Sequence, residues 1–273
     1  MTNVANHYER DELLASLLNA LAESGLDVDD LHPEDLAPLD EFHIGGRRAT
    51  QEMIELAGIG PADHVLDVGA GIGGPARTMA AETGCRVTGV DLARSYCEVA
   101  NDLTARVGLE GQVRFRQADA LALPFEPGAF DVVWTQHMTM NVADKDALFA
   151  ELARVLRPGG RLVCYEVLAG DTGGELHYPV PWADSAAISH LDTVEGMRRR
   201  LADAGLRIEQ WQDRTEAALA FFQRMAARQD GSSSPRLGLH LLVGPDMSER
   251  TRNLTRNLEA GGVTVVLVLA SRD

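Results

Sequence analysis

A short apolar run and a glycine-rich turn meet in residues 65–74, which read VLDVGAGIGG. A helical pattern over residues 75–83 follows directly. A turn of this kind presents backbone N–H groups at a helix N-terminus, and only glycine lets a nucleotide approach the backbone so closely. The stretch therefore predicts a strand–turn–helix unit that binds a nucleotide-like cofactor.

Similar units continue along the chain. Short apolar runs predict further strands over residues 86–90, 113–118, 130–134, 161–167, 206–211 and 262–270. Helical patterns lie between or beyond them at residues 96–107, 146–156, 193–204 and 215–228. Alternation of strands and helices at this spacing is typical of an α/β fold, with a mostly parallel sheet and helices on both faces.

The first 60 residues lie outside this alternation. Residues 10–24 form an amphipathic helical pattern, residues 26–42 are acidic and interrupted by proline, and residues 50–57 form a second helical pattern. We expect residues 1–60 to form a helical lid over a domain of residues 61–273. Within that domain, we expect the irregular residues 170–192 and the region 213–235 to be insertions on the substrate side.

Composition excludes several classes of partner. The 273 residues carry a net charge of -16, which argues against binding to nucleic acid or to an anionic membrane surface. The three cysteines, Cys85, Cys97 and Cys164, form no CxxC pair, and the histidines lack the short spacings of a metal site. No apolar run approaches the ~20 residues of a membrane span. We expect a cytoplasmic protein without a metal, and a homodimer is left open.

The glycine turn alone does not identify the cofactor. Gly69, Gly71 and Gly74 have the G-x-G-x-x-G spacing of dinucleotide sites, whereas Gly69, Gly71 and Gly73 have the G-x-G-x-G spacing more usual for S-adenosylmethionine (SAM). The turn therefore leaves two classes of cofactor open.

Three carboxylates at successive strand ends favour SAM. Asp67 lies inside the first strand, where its charge suits the ammonium of SAM but gains nothing beside a dinucleotide phosphate. Asp91 ends the second strand and suits ribose hydroxyls, and Asp119 follows the third and suits the adenine amino group. The full set of predicted cofactor residues is Asp67, Gly69, Ala70, Gly71, Gly73, Asp91, Leu92, Asp119, Ala120 and Gln136.

On these motifs the chain resembles class I SAM-dependent methyltransferases. The matching stretches are residues 65–74, 90–91, 118–120, 130–133 and 156–162. The resemblance implies a Rossmann-like sheet of seven strands with an antiparallel last strand, a role that residues 262–270 would fill. Residues 40–46, 134–141 and 177–182 resemble, more narrowly, the sarcosine/dimethylglycine N-methyltransferases and tocopherol-type enzymes.

Methyl transfer from a sulfonium needs little more than a positioned nucleophile, since the methyl group is already activated. A neutral amine needs only its lone pair, whereas a hydroxyl or carbon acid usually needs a general base. We therefore predict N-methylation of an amine or N-heterocycle in a small molecule, with O- or C-methylation using His137 as base as the alternative. A SAM-binding protein without catalysis is the remote alternative.

Candidate catalytic residues follow from their places in the predicted fold. His137 lies in the loop after the fourth strand, Glu166 lies near the end of the fifth strand, and Tyr8 and His43 lie in the lid. A carboxylate can hold a cationic amine, and an aromatic ring can cover a sulfonium. Further candidates for the wall of the substrate pocket are His177, Tyr178 and Trp182.

Overall fold

A computed structural model describes residues 13–41, 43–229, 237–238, 240–244 and 246–273. Its centre is a seven-stranded sheet with the strand order β3-β2-β1-β4-β5-β7-β6. The strands are β1 His64–Val68, β2 Arg86–Asp91, β3 Val113–Gln117, β4 Phe130–Gln136, β5 Leu156–Ala169, β6 Leu206–Asp213 and β7 Val263–Arg272. Strands β1 to β5 pair in parallel, and β7 is antiparallel to both β5 and β6. The predicted α/β sheet with an antiparallel last strand is confirmed.

Helices cover both faces of the sheet. Before β1 lie α1 Leu13–Glu23, α2 Pro33–Asp40 and α3 Arg47–Ala57; between the parallel strands lie α4 Gly74–Thr83, α5 Arg94–Arg106 and α6 Lys145–Val155; towards the C-terminus lie α7 Val194–Asp203, α8 Thr215–Gln229, α9 His240–Val243 and α10 Met247–Glu259. Neighbouring strand residues point to opposite faces, so Val65 packs in one apolar cluster with α4 and Leu66 in another with α6. The two faces are therefore both buried, as a parallel sheet requires.

The structure differs from the predicted elements in three places. Helix α2 begins with Pro33 in its first turn, where the missing N–H of proline costs nothing. Helix α10 was not predicted, although its Leu254 and Leu258 are buried. Strand β5 begins at Leu156, before the predicted start at residue 161, and its register against β4 shifts between Phe130 and Val132, so residues 158–160 form an irregularity inside the strand.

A buried ion pair fastens the N-terminal helices to the sheet domain. The Arg77 side chain on α4 is 1% exposed, and its Nη2 donates to Asp40 Oδ2 at the end of α2 over 2.8 Å. The same guanidinium donates to the carbonyl of Ala100 and to the hydroxyl of Thr104 on α5. The segment from residue 40 onward is thereby held beside the glycine turn.

No helix in the described part of the chain is long and apolar enough to cross a membrane.

Candidate active site

A cavity of about 320 Å³ opens at the carboxyl ends of β1, β2 and β4. In open α/β sheets this edge is where ligands bind. We name it the cofactor cavity. Its lining includes nine of the ten predicted cofactor residues, and these are Asp67, Gly69, Ala70, Gly71, Asp91, Leu92, Asp119, Ala120 and Gln136.

Three of the four glycines in the turn, Gly69, Gly71 and Gly73, differ in what surrounds them. Gly69 has φ +78°, and a Cβ there would lie 2.2 Å from Met138 Cγ. Gly71 has φ +55°, lines the cavity and has no heavy atom within 4 Å of where a Cβ would be, so its backbone faces open space. Gly73 does not line the cavity, because it packs behind the turn, where a Cβ would lie 2.4 Å from Phe115 Cζ. The predicted contact of Gly73 with the cofactor stays a prediction.

Asp67 presents an unpaired carboxylate oxygen to the cofactor cavity. The residue is 2% exposed, and its Oδ2 has no hydrogen-bond partner among the described residues. Burial, and then the charges of Asp91 and Glu41, raise the pKa of Asp67 to about 8. Because a buried charge without a partner is costly, this arrangement suits a cationic group in the cavity.

Asp91 and Asp119 keep acceptor capacity beyond their contacts within the protein. Asp91 accepts the N–H of Gly71 and the N–H of Ala93, each over 2.9 Å, and Asp119 accepts the N–H of Leu121 over 2.9 Å. An ionised carboxylate offers about four lone-pair sites, so both side chains can accept further hydrogen bonds. Together with Asp67 they offer places for an ammonium, for hydroxyls and for an amino group, which are three of the polar groups of SAM.

His137 occupies a backbone conformation unusual for its residue type, with φ +52°. Its Nδ1 lies 2.8 Å from the carbonyl oxygen of Tyr165, which can only accept, so Nδ1 carries the proton and Nε2 the lone pair. Burial, and then the charge of His43, lower the pKa of His137 to about 3. Nε2 is buried and has no partner in the described part of the chain, so His137 is a neutral imidazole with a free acceptor nitrogen.

Glu166 lies beneath the loop that follows His137. It is fully buried, and its Oε2 accepts the N–H groups of Met138 and Thr139, each over 3.1 Å. Burial raises the pKa of Glu166 to about 6. The side chain lines neither cavity of the site, so the structure does not bring it to an amine as the sequence predicted. It holds the loop that carries His137.

A second cavity of about 110 Å³ adjoins the first, and we name it the acceptor cavity. His43 and His137 line both cavities. The other lining residues come from the N-terminal segment, the loop after β4, strand β5, the segment between β5 and α7, and helices α8 and α10, and these are Glu41, Ile44, Met140, Val167, Pro181, Trp182, Phe221, Phe222, Met225, Met247, Thr251 and Leu254. The two histidines thus lie where a group held in one cavity meets a group held in the other.

A polar cluster fixes His43 at this boundary. His43 Nε2 lies 3.0 Å from Glu41 Oε2, 3.0 Å from the carbonyl oxygen of Gly46 and 3.0 Å from Thr50 Oγ1. Gln136 Nε2 donates to the same Thr50 hydroxyl over 3.5 Å, which links the cluster to the end of β4. The N-terminal segment therefore contributes directly to the site.

Of the three residues predicted for the wall of the substrate pocket, one lines a cavity and two do not. Trp182 lines the acceptor cavity, whereas His177 and Tyr178 line neither cavity. The backbone of His177 is instead tied to the side-chain amide of Asn257 on α10. Tyr8 lies outside the described residues. Glu41, Phe221 and Phe222 were not predicted: Glu41 lies in the stretch 40–46 but was not singled out, and no motif includes Phe221 or Phe222.

Among the described residues, no group of three or more His, Cys, Asp or Glu side chains is arranged to hold a metal ion. The absence of a metal stays a prediction.

Residues 66–164 match the family model described as a methyltransferase domain. The methyltransferase GfsG of Streptomyces halstedii is 36% identical over 170 residues, covering 62% of this chain and 59% of that protein. The glycine/sarcosine/dimethylglycine N-methyltransferase of Actinopolyspora halophila is 29% identical over 179 residues, or 66% and 32% of the two chains. The chloroplastic tocopherol O-methyltransferase of Arabidopsis thaliana is 38% identical over 122 residues, or 42% and 35%.

Among solved structures, a geranyl diphosphate methyltransferase in complex with GPP and sinefungin superposes with a TM-score of 0.68 at 26% identity, over 83% of this chain and 77% of that one. The chain spans less than two thirds of the length of each of the three curated relatives. Fold, site and similarity agree: this chain carries a methyltransferase domain with the class I SAM-dependent methyltransferase fold. The resemblance to the sarcosine/dimethylglycine and tocopherol enzymes is likewise confirmed.

Proposed function

We propose that the chain binds SAM in the cofactor cavity and transfers its methyl group to a hydroxyl oxygen of a small molecule in the acceptor cavity. One observation carries the proposal: His137, which lines both cavities, is a neutral imidazole whose Nε2 has no hydrogen-bond partner among the described residues. A proton acceptor at that wall is what a hydroxyl acceptor needs and an amine does not.

The carboxylates of the cofactor cavity bind and orient SAM in this proposal. Asp67 holds the ammonium, Asp91 the ribose hydroxyls and Asp119 the adenine amino group. SAM, when bound, supplies a methyl group already activated by its sulfonium. What the protein adds is alignment of the acceptor with that methyl group and exclusion of water.

His137 receives the proton of the acceptor at Nε2. A hydroxyl becomes strongly acidic as its oxygen gains the methyl carbon, so an imidazole of low basicity suffices at that moment. The hydrogen bond from Nδ1 to the carbonyl of Tyr165 persists throughout and stabilises the imidazolium that forms. Glu166 keeps the loop in place but does not take part in the proton transfer.

The amine acceptor expected from the sequence is the second candidate. Aromatic rings of Trp182, Phe221 and Phe222 line the acceptor cavity, and aromatic faces favour cations. Methylation of an amine would make little use of His137, so the two candidates differ in their dependence on that residue.

In this proposal the predicted lid of residues 1–60 covers the site through His43; residues 1–12 and 42 of that range lie outside the described residues. The region 170–192 and the described part of the region 213–235, residues 213–229, supply acceptor-side walls, which Trp182 and Phe222 support. The cytoplasmic location, the absence of nucleic-acid partners and the oligomeric state stay predictions.

Transfer of tritiated methyl from SAM to a panel of phenols, alcohols, amines and carbon acids tests the proposal. The decisive variant is His137→Asn, because asparagine tolerates a positive φ and still donates a hydrogen bond but lacks the imidazole base. We expect methylation of hydroxyls to fall by about 100-fold, the lower end of general-base effects. His177→Asn, the matched control outside both cavities, keeps the original rate.

Two results would count against the proposal. If amines were the better acceptors and His137→Asn methylated them at the original rate, N-methylation would replace O-methylation. If no acceptor class received the label, the methyltransferase activity itself would be contradicted.

A further inference from the structure

The chemistry of the acceptor cavity is mainly apolar. The side chains that form most of its wall are those of Ile44, Met140, Val167, Pro181, Trp182, Phe221, Phe222, Met225, Met247 and Leu254. Polar side chains are confined to Glu41, His43, His137 and Thr251. Removing an apolar surface from water is favourable, so this wall selects for an apolar group on the acceptor.

No lysine or arginine lines the cavity within the described part of the chain. The nearby Arg250 on α10 is engaged with Asp184, Asp246 and the carbonyl of Val180, and Arg214 is paired with Glu52. A phosphate or carboxylate in the cavity would therefore meet the carboxylate of Glu41 and no free cation. Burial of an unpaired anion is costly, so an anionic acceptor is excluded.

Most polar groups of the wall already have partners. Glu41 accepts hydrogen bonds from Thr50 and Thr78, Trp182 Nε1 donates to Ser189, and Thr251 Oγ1 donates to the carbonyl of Met247. A sugar or another polyhydroxy compound would leave several of its own groups unpaired here. The unpaired Nε2 of His137 provides for a single hydroxyl at the boundary with the cofactor cavity.

The volume limits the size of the buried group. An apolar cavity of about 150 Å³ holds a benzene ring, so the smaller cavity here, of about 110 Å³, has room for at most one ring or a short branched alkyl group. The unbranched methionine side chains of the wall can adapt to the detailed shape of that group.

We infer, on the basis of the proposed function, that the methyl acceptor is an uncharged compound that buries one apolar ring or branched alkyl group in the acceptor cavity. Its nucleophilic hydroxyl lies at the wall formed by His43 and His137. A simple phenol has this chemistry, whereas 4-hydroxybenzoate differs from it by one carboxylate and glucose by the absence of an apolar group.

Calorimetric titration of the full chain, saturated with S-adenosylhomocysteine, tests the inference with these three compounds. We expect phenol to bind at least tenfold more tightly than 4-hydroxybenzoate, and glucose not to bind measurably. Met225→Lys places an ammonium on the half-buried wall of α8, and we expect it to reverse the preference between phenol and 4-hydroxybenzoate. The control is Gln223→Lys, which adds the same charge on the exposed side of α8 and keeps the original preference.

The outcomes separate this inference from the proposed function. If the wild-type chain binds S-adenosylhomocysteine but prefers 4-hydroxybenzoate or glucose to phenol, the inference is overturned and the cofactor site stands. An unchanged preference in Met225→Lys likewise counts against it, provided that this variant still binds S-adenosylhomocysteine. If S-adenosylhomocysteine does not bind while phenol is still preferred, the proposed function fails and the cavity chemistry stands.

Discussion

Replacement of Asp67 by asparagine changes protein stability and ligand affinity in opposite directions. The substitution keeps the shape of the side chain and removes its charge. In the folded protein the pKa of Asp67 is raised from 3.8 to about 8. Between these pH values the folded chain therefore binds a proton that the unfolded chain releases. The free energy of unfolding consequently falls as the pH rises, by about 1.4 kcal/mol per pH unit.

The magnitude of the stability change follows from that slope. At pH 7, about three units above the ordinary pKa, Asp67 lowers the free energy of unfolding by up to about 4 kcal/mol. We expect Asp67→Asn to be more stable than the wild type by up to that amount at pH 7 in the absence of ligand. At pH 4 the two proteins should unfold with similar free energies, because this pH lies close to the ordinary pKa of 3.8 and the difference has only begun to develop.

The effect on the cofactor has the opposite sign. A hydrogen bond between a carboxylate and an ammonium contributes about 1.5–3 kcal/mol, so its loss weakens binding by about 10- to 150-fold. Urea unfolding from pH 4 to 8 measures the stability, and calorimetry with S-adenosylhomocysteine at pH 7 measures the affinity. A variant that is less stable at pH 7 and binds S-adenosylhomocysteine as tightly as the wild type would show that the charge of Asp67 neither destabilises the free protein nor binds the ammonium.

Asp131→Asn is the matched control at the other end of the sheet. Burial opposes the ionised form of Asp131, yet hydrogen bonds from the N–H of His64 and from Arg157 hold its pKa below the ordinary value. This carboxylate therefore adds stability above its ordinary pKa, and that stability is lost as the pH falls through the lowered value. The variant should be less stable at pH 7 and should bind S-adenosylhomocysteine normally.

Substitutions at three other residues have definite expected outcomes. Gly69→Ala forces a Cβ against Met138 at a positive φ, so we expect a loss of about 1–3 kcal/mol in unfolding free energy and weaker cofactor binding by calorimetry. Arg77→Met leaves Asp40 buried without its cation and should cost about 3–5 kcal/mol by urea unfolding; a loss below 1 kcal/mol would contradict the role of this pair. Glu166→Gln keeps an acceptor for the N–H of Met138 and should retain stability and activity, whereas Glu166→Ala should lose about 2–4 kcal/mol. If Glu166 instead held a cationic amine, the glutamine variant would lose activity on amines.

The sheet could be predicted from the sequence because its signals are local. Strand β1 lies where it was predicted, directly before the glycine turn, since residues 64–68 form an apolar run that the turn ends. Helix α2 could not be assigned, because Pro33 and Pro38 resemble loop punctuation and only the packing of Leu36 and Leu39 reveals a helix. In β5 the proline and the two glycines of residues 158–160 are typical of a turn, but strand pairing continues on both sides of them.

The cofactor residues could be predicted for the same reason. Asp67 and Asp91 belong to strands, and the carboxyl ends of parallel strands meet at one edge wherever the helices pack. The acceptor cavity could not be predicted from the sequence. Residues as distant in the chain as Ile44, Trp182 and Leu254 form its wall only after their regions pack together. The orientation of the Glu166 side chain could not be predicted either. The sequence places this residue near the end of β5 but does not show towards which face of the sheet its side chain points.

A crystal structure of the full chain with S-adenosylhomocysteine tests most directly whether the cofactor cavity binds SAM. We predict that the ligand lies in the cofactor cavity, with its amino group within about 3 Å of Asp67 Oδ2, its ribose hydroxyls on Asp91 and its adenine beside Asp119. Its sulfur would be directed towards the wall formed by His43 and His137. A ligand that lies elsewhere, or an amino group that leaves Asp67 unpaired, would contradict the assignment of this cavity to SAM.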